Sequence, residues 1–169
     1  MSTSPENGSL YTKIENGIAY LEFGHPASNS FPSMLLERLE REFQKLSDDE
    51  NVNVILLKSE GEKAFCAGAS FDELVAIESM QAGKLFFSGF ANVINAMRKC
   101  KKLIVGRVQG KTVGGGVGLV AACDYAMATD AAAIKLSELS IGIGPFVIAP
   151  AVERKMGVDA LAELSLAAH

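Results

Sequence analysis

Alternating apolar and polar positions near the start of the chain predict a β-hairpin. The alternation runs through residues 10–14 and 18–23, with Asn16-Gly17 between the two segments. Asn-Gly in that position is a strong signal for a tight turn between antiparallel strands. The polar residues before the hairpin predict a disordered lead over residues 1–9.

Apolar residues at three- and four-residue spacing predict amphipathic helices. The first helix follows a polar loop at residues 24–30, has Ser33 as its expected N-cap, and ends before Asp48–Asn51. Its apolar face comprises Leu36, Leu39, Phe43 and Leu46. A long helix at Met80–Lys99 is expected to bury Phe86, Phe90, Val93 and Met97. Two closing helices are expected, at residues 150–156 and from residue 158 to the end.

Short apolar runs between the helices predict strands at residues 52–57, 103–108, 125–128 and 133–136. Strands that alternate with helices indicate an α/β fold. The pattern alone does not separate a doubly wound sheet from a spiral. No linker divides the chain, so residues 10–169 are expected to form a single domain.

The glycine-rich segment Gly110–Leu119 lies between an apolar run and a small-residue helix, and it indicates an anion site built from main chain. The start of a helix leaves unpaired N–H groups, and glycine lets a ligand oxygen approach them. Gly110-Lys111-Thr112 resembles the end of a phosphate-binding loop, but Val105 stands where that motif needs its first glycine. A nucleotide site is therefore disfavoured. Glycines that serve only close helix–strand packing are the structural alternative.

A second strand–turn–helix arrangement occurs at Lys63–Ser70, followed by a short helical stretch from Phe71. Two such turns could direct two N–H groups at one oxygen, which is an oxyanion hole. With these segments the chain resembles the crotonase family, the enoyl-CoA hydratases and isomerases, and most closely its bacterial methylglutaconyl-CoA hydratases. The matching pieces are Lys63–Ala69, Gly114–Leu119, Ala122–Asp124, Ser137-Glu138, Gly142 and Pro145.

The resemblance implies a crotonase-like ββα spiral, in which strand–strand–helix turns stack into a solenoid. Family members continue into further C-terminal helices that help to build trimers, whereas this chain stops at His169. A missing C-terminal helical segment is therefore expected. A homotrimer or homohexamer is expected where those helices are present.

The resemblance also implies the site residues. The N–H groups of Ala69 and Gly115 are expected to stabilise a thioester enolate, and Glu138 to act as the acid/base. The family's first glutamate position is Gly118 in this chain, so that acid is absent. The expected substrate-binding positions are Ala27, Asn29, Ala67, Gly68, Gly114, Gly116 and Pro145.

With a single carboxylate, two reaction types remain possible: isomerisation and hydration. Double-bond isomerisation moves one proton between two carbons, so counting acids favours an isomerase. Resemblance favours a hydratase, because the methylglutaconyl-CoA hydratase relatives also carry glycine at the first position. The expected activity is addition of water to an enoyl-CoA, with a branched methylglutaconyl-type acyl group among the candidates. The alternatives are an enoyl-CoA isomerase and a non-catalytic acyl-CoA-binding subunit. Coenzyme A arrives as part of the substrate, so no separate cofactor is expected.

Composition restricts partners and location. The chain has 169 residues, is 49% hydrophobic and carries a net charge of -4, which fits one soluble core and argues against nucleic acid. No apolar run approaches the ~20 residues that cross a membrane, and the polar start is interpreted as a disordered lead rather than a signal peptide, so a cytoplasmic location is expected. Cys66, Cys100 and Cys123 lack metal-ligand spacing, so no metal is predicted and reduced thiols are expected. A nucleophilic Cys66 is disfavoured, because only His25 and His169 could serve as its base.

Overall fold

Two β-sheets carry the fold in the computed structural model, which describes residues 7–167. The larger sheet has the strand order β1-β2-β3-β5-β7, and the smaller has the order β4-β6-β8. The strands are β1 (Ser9–Glu15), β2 (Ile18–Gly24), β3 (Val54–Ser59), β4 (Ala64–Cys66), β5 (Leu103–Val108), β6 (Lys111–Val113), β7 (Tyr125–Ala128) and β8 (Ile134–Lys135). The helices are α1 (Ser33–Asp48), α2 (Phe71–Val75), α3 (Met80–Lys99), α4 (Gly115–Ala122), α5 (Ala149–Met156) and α6 (Val158–Ala167), and a 3-10 helix covers Glu138–Ile141.

The predicted hairpin is confirmed. Strands β1 and β2 pair antiparallel, and Asn16 and Gly17 at the turn have φ values of 51° and 80°. Both values lie in the left-handed region that this type of turn requires. Ser9 pairs with Gly24, so the last residue of the predicted disordered lead belongs to β1. The rest of that prediction falls largely on residues 1–6, outside the described part of the chain.

After the hairpin, all further pairing in the larger sheet is parallel. Helices lie between the paired strands along the chain, which confirms the α/β class. The expected start of β3 at Val52 is wrong by two residues, because Val52 still belongs to the turn that ends α1. Its N–H donates to the Asp49 carbonyl at 3.2 Å.

Ser33 is not an N-cap, contrary to the sequence prediction. It is the first residue of α1, and Pro32 occupies the cap position without a side-chain cap. The N–H and hydroxyl of Ser33 instead bind the Glu73 carboxylate, with an N–H to Oε2 distance of 3.0 Å. This contact ties α2 to the start of α1.

The smaller sheet was not predicted. Strands β4 and β6 have three residues each, too few to show an alternation, and they lie in segments interpreted as turns. They pair parallel, with Cys66 opposite Thr112, and β6 pairs in turn with β8. Parallel strands end at the same edge, so the segments that follow β4, β6 and β8 are brought together.

Buried side chains from the larger sheet, α1 and α3 form one hydrophobic cluster that also includes most of α4. A row of aromatic rings runs through it, with centroid distances of 4.7 Å for Phe23–Phe31 and 5.7 Å for Phe31–Phe90. The predicted burial of Phe86 is wrong: this side chain is only half-buried and lines a cavity. None of the described helices combines the length and apolar character needed to cross a membrane.

Candidate active site

The turn after β4 is fixed from both sides of Ala69. The N–H of Phe31 donates to the Gly68 carbonyl at 2.8 Å, and the N–H of Ser70 donates to the Phe31 carbonyl at 2.9 Å. Gly68 has φ of +93°, a conformation that glycine adopts readily. Within residues 7–167, no protein oxygen accepts a hydrogen bond from the Ala69 amide, which lies between these two anchored residues.

The turn after β6 places Gly115 at the start of α4. Gly114 occupies the N-cap position with φ of 52°, and its N–H donates to the Lys135 carbonyl of β8 at 2.9 Å. As the first residue of α4, Gly115 presents an N–H group without an acceptor among the described residues. The helix dipole adds partial positive charge at this end.

The two turns touch. A Cβ atom added to Gly68 would lie 3.7 Å from the Gly115 nitrogen and 3.3 Å from the Val113 carbonyl oxygen. Ala69 and Gly115 both line one cavity of about 240 Å³. The structure therefore brings the two predicted donors, neither of which has an acceptor among residues 7–167, to the lining of one cavity.

The glycines of this segment also serve close packing, so the structural alternative describes part of their role. A Cβ atom on Gly115 would lie 2.5 Å from the Phe90 ring, and one on Gly116 would lie 2.7 Å from the Cys66 Cβ. Any larger residue would push the start of α4 away from the aromatic row or from β4.

Glu138 opens the 3-10 helix directly after β8, and its carboxylate reaches back over Gly114. A Cβ atom on Gly114 would lie 3.2 Å from Glu138 Oε1. The other oxygen, Oε2, is buried and has no hydrogen-bond partner among the residues described. Burial raises the pKa of this carboxyl, an effect that the N–H groups of Glu138 and Ser137 partly offset. A carboxylate with raised proton affinity is suited to proton transfer.

Gly118, at the family's first acid position, carries no carboxylate, and the surrounding packing leaves no room for one. A Cβ atom on Gly118 would lie 2.5 Å from Ile148 Cγ2 and 3.1 Å from Ile94 Cδ1. No side chain at position 118 can therefore extend toward the cavity while these two isoleucines stay in place. Glu138 is left as the only ionisable side chain among the described residues that line the cavity.

The remaining walls are mainly apolar. Large side chains from α2 and α3 form one side: Phe71, Leu74, Phe86, Phe87 and Phe90. Aliphatic side chains that follow the 3-10 helix or end it form another: Ile141, Ile143, Val147 and Ile148. These walls were not predicted. The sequence could have indicated Phe87, because it lies outside the predicted buried stripe of α3, and a phenylalanine at an exposed helix position suggests a binding surface.

Four of the seven predicted substrate-binding residues line the cavity, and three do not. Ala67, Gly68, Gly114 and Pro145 line the cavity, whereas Gly116 is buried behind it. Ala27 and Asn29 lie outside the cavity, in the loop at residues 24–30. That loop joins the first turn through the Ala67 N–H, which donates to the Ser28 carbonyl at 3.2 Å.

The Asn29 side chain holds this loop in place. Its Nδ2 donates to the carbonyls of Glu60 and Ala64, and its Oδ1 accepts from the His25 N–H. With 6% of its surface exposed, Asn29 has its side chain committed to backbone partners. Any contact of Asn29 with a ligand is therefore made by its main chain.

The geometry does not favour a nucleophilic Cys66. The thiol is fully buried, burial raises its pKa to about 12, and the Gly68 N–H donates to its sulfur at 3.3 Å. His25 lies in the loop at residues 24–30, where its Nδ1 is 3.1 Å from the Ser30 hydroxyl. Within residues 7–167, no group of three or more His, Cys, Asp or Glu side chains is arranged to hold a metal.

Known proteins share this fold and these sequence features. A family model described as enoyl-CoA hydratase/isomerase matches residues 13–169. The human mitochondrial methylglutaconyl-CoA hydratase is 31% identical over 147 residues, which are 86% of this chain and 43% of that protein. The ethylmalonyl-CoA decarboxylase of Xenopus tropicalis is 27% identical over 79% of this chain and 45% of its own length.

A solved enoyl-CoA hydratase from Mycobacterium smegmatis superposes with a TM-score of 0.89 at 28% identity, covering 95% of this chain and 63% of that one. The crotonase-like fold is thereby confirmed. The chain spans about half the length of the curated relatives that it matches.

Proposed function

Because the chain belongs to the enoyl-CoA hydratase/isomerase family, also called the crotonase family, we propose that it adds water across the double bond of an enoyl-CoA thioester. The observation that carries the proposal is the joint position of three groups on one cavity. These are the amides of Ala69 and Gly115, which have no acceptor among residues 7–167, and the carboxylate of Glu138, whose Oε2 is buried.

The two amides stabilise the charge that develops during the reaction. When water attacks the β-carbon, electrons move through the double bond onto the thioester carbonyl oxygen, which becomes an enolate. That oxygen accepts hydrogen bonds from the Ala69 and Gly115 N–H groups, which are held by backbone and need no rearrangement. Loss of one such donor reduces kcat by about a hundred- to a thousandfold in a well-studied case.

Glu138 carries the proton. Its carboxylate accepts a proton from the attacking water as the new C–O bond forms, and the carboxylic acid then returns that proton to the α-carbon as the enolate collapses. The carboxylate is regenerated and the product is a 3-hydroxyacyl-CoA. The raised pKa of Glu138 supports this role, since the group must hold the proton between the two transfers.

Isomerisation of an enoyl-CoA is the second candidate, and the closed position at Gly118 favours it. Only one ionisable side chain among the described residues lines the cavity, and moving a proton between the α- and γ-carbons needs only one. The same enolate and the same two donors would serve. The two candidates differ in whether a hydroxyl group enters the product.

The same proposal covers how the CoA portion of the substrate is bound and how the protein assembles. Main chain at residues 27–29 and at Ala67 grips the CoA portion, which enters as part of the substrate. In a chain that carries the family's C-terminal helices, the protein forms a homotrimer or homohexamer in the cytoplasm. The methylglutaconyl-type acyl group remains a prediction from resemblance.

The decisive experiment replaces Glu138 with glutamine. Glu138→Gln keeps the size of the side chain but removes its proton affinity, so turnover of enoyl-CoA should fall by at least about a hundredfold. Binding of a saturated acyl-CoA should persist. Loss of the conjugated enoyl absorbance reports hydration, and its gain from a 3-enoyl-CoA reports isomerisation.

Glu153→Gln on α5 is the matched control, since this glutamate is exposed and lies off the cavity; it should turn over at the parent rate. A Glu138→Gln variant with parental turnover would refute the assignment of the acid/base. A parent chain that binds acyl-CoA without turning over any thioester would support the non-catalytic binding subunit instead.

A further inference from the structure

The cavity walls contain no cationic side chain among the residues described. Its lining includes no lysine, arginine or histidine, and its polar side chains are Ser137 and Glu138. Most other side chains of the lining are phenylalanines and aliphatic residues on α2, α3, the 3-10 helix and the segment near Pro145. The electrostatic character of the cavity is therefore set by one carboxylate within an apolar enclosure.

A second carboxylate could not be accommodated well in such an enclosure. Burying a charge without a partner is strongly unfavourable, and a like charge nearby makes it worse. An acyl group that ends in a carboxylate would place its charge near Glu138, with no guanidinium or ammonium on the lining to pair with it. An apolar acyl group would instead gain from leaving water.

We infer that the acyl group bound in this cavity is uncharged and apolar, and that Phe87 is one of the residues that set this preference. The inference rests on the proposed function only in assuming that the cavity holds the acyl part of a thioester. It differs from the methylglutaconyl-type expectation, because that acyl group carries a free carboxylate.

Phe87 is the wall residue best suited to a test. It lies on α3 with 37% of its surface exposed, and its ring packs edge-on against Phe86 at a centroid distance of 5.1 Å. A long side chain at position 87 therefore has room to adjust. Leu85 lies on the same helix, is 74% exposed and does not line the cavity, so it provides a matched control position.

The experiment compares two saturated CoA esters that cannot react by hydration. One is methylglutaryl-CoA, and the other is its isostere in which an isopropyl group replaces the free carboxylate. Titration calorimetry on the full chain should show the neutral ester binding at least about tenfold more tightly, which corresponds to about 1.4 kcal/mol. Phe87→Arg should reduce that ratio by at least about threefold by supplying a cation, whereas Leu85→Arg should leave it unchanged.

Equal or tighter binding of the carboxylate ester to the parent chain would overturn the inference, as would the absence of binding by both esters. An equal change of the ratio in the Phe87→Arg and Leu85→Arg variants would refute the role of Phe87, because it would reflect net charge alone. Since neither ester is turned over, failure of the proposed catalysis would leave this binding result intact. Turnover of the corresponding unsaturated esters then tests the catalysis separately.

Discussion

The carboxylate of Glu138 combines a proposed catalytic role with an unfavourable environment. Its Oε2 is buried without a hydrogen-bond partner in the described part of the chain, and burial raises the pKa of the group from its ordinary value of 4.5. Function and stability therefore oppose each other at this residue. The proton affinity that would suit it to the proposed proton transfer arises because its charged form is poorly solvated in the folded chain.

This opposition predicts a pH-dependent effect of Glu138→Gln on stability. Because the pKa is higher in the folded than in the unfolded chain, the folded chain binds more protons between the two values. The contribution of Glu138 to the free energy of unfolding of the parent therefore falls as the pH rises above 4.5, while the glutamine variant escapes this loss. We expect the variant to be the more stable protein at about pH 7 and the difference to vanish below the ordinary pKa.

Urea denaturation of both proteins across this pH range provides the measurement. A variant that is less stable than the parent at neutral pH would show that the ionised carboxylate is well solvated or well paired, contrary to the structure.

The short strands β4 and β6 show what sequence patterns can and cannot predict. The hairpin, α1 and α3 were predicted because each repeats its pattern over several turns or residue pairs. Strands of three residues repeat nothing, so the sheet that joins the two glycine turns could be found only in three dimensions. The turns themselves were located by their glycines between apolar runs and helical stretches, whereas Glu138 was located through family resemblance.

The cavity walls were missed for a different physical reason. Phe71, Phe86 and Phe87 come from two helices, and only their packing shows that they face the same space as Ile148. A single sequence gives no register between helices. The closure of position 118 by Ile148 was hidden in the same way.

The start of α4 predicts a contrast between two glycine substitutions. Gly115→Ala would bring its Cβ within 2.5 Å of the buried Phe90 ring, so the free energy of unfolding should fall by about 1–3 kcal/mol, with impaired turnover. Gly83→Ala on α3 meets only Ile77 at 3.5 Å, an ordinary contact, and should stabilise the chain by about 0.5–1 kcal/mol. Thermal and urea unfolding of the two variants would check both signs, and a destabilising Gly83→Ala would contradict this account.

The two sheets are joined near the site by loops rather than by a shared strand. Asn29, in the loop after β2, bonds to carbonyls on either side of the turn that leads into β4, and so connects the larger sheet with the smaller one. The loop that is proposed to hold CoA is thus fixed to the strand that precedes the turn carrying Ala69. Any change at this junction should affect binding and stability together.

Asn29→Ala tests that coupling. Removing the amide breaks three part-buried hydrogen bonds, to the Glu60 and Ala64 carbonyls and from the His25 N–H, so the free energy of unfolding should fall by about 1–3 kcal/mol. The KM for acyl-CoA should rise more than kcat falls, because the turns that carry Ala69 and Gly115 remain. Steady-state kinetics and urea unfolding, with the exposed Asn51→Ala as control, would measure both; a change in kcat alone would contradict the assigned role.

The contact between Gly118 and Ile148 constrains the routes by which this protein could evolve. A glutamate introduced at position 118 would collide with Ile148 and Ile94, so its benefit would be masked until the neighbour had become smaller. Shrinking Ile148 first would open a void in a buried helix contact and would bring no catalytic gain by itself. The two changes are therefore epistatic: each is deleterious alone, and a two-acid site is accessible from this chain only across a fitness valley.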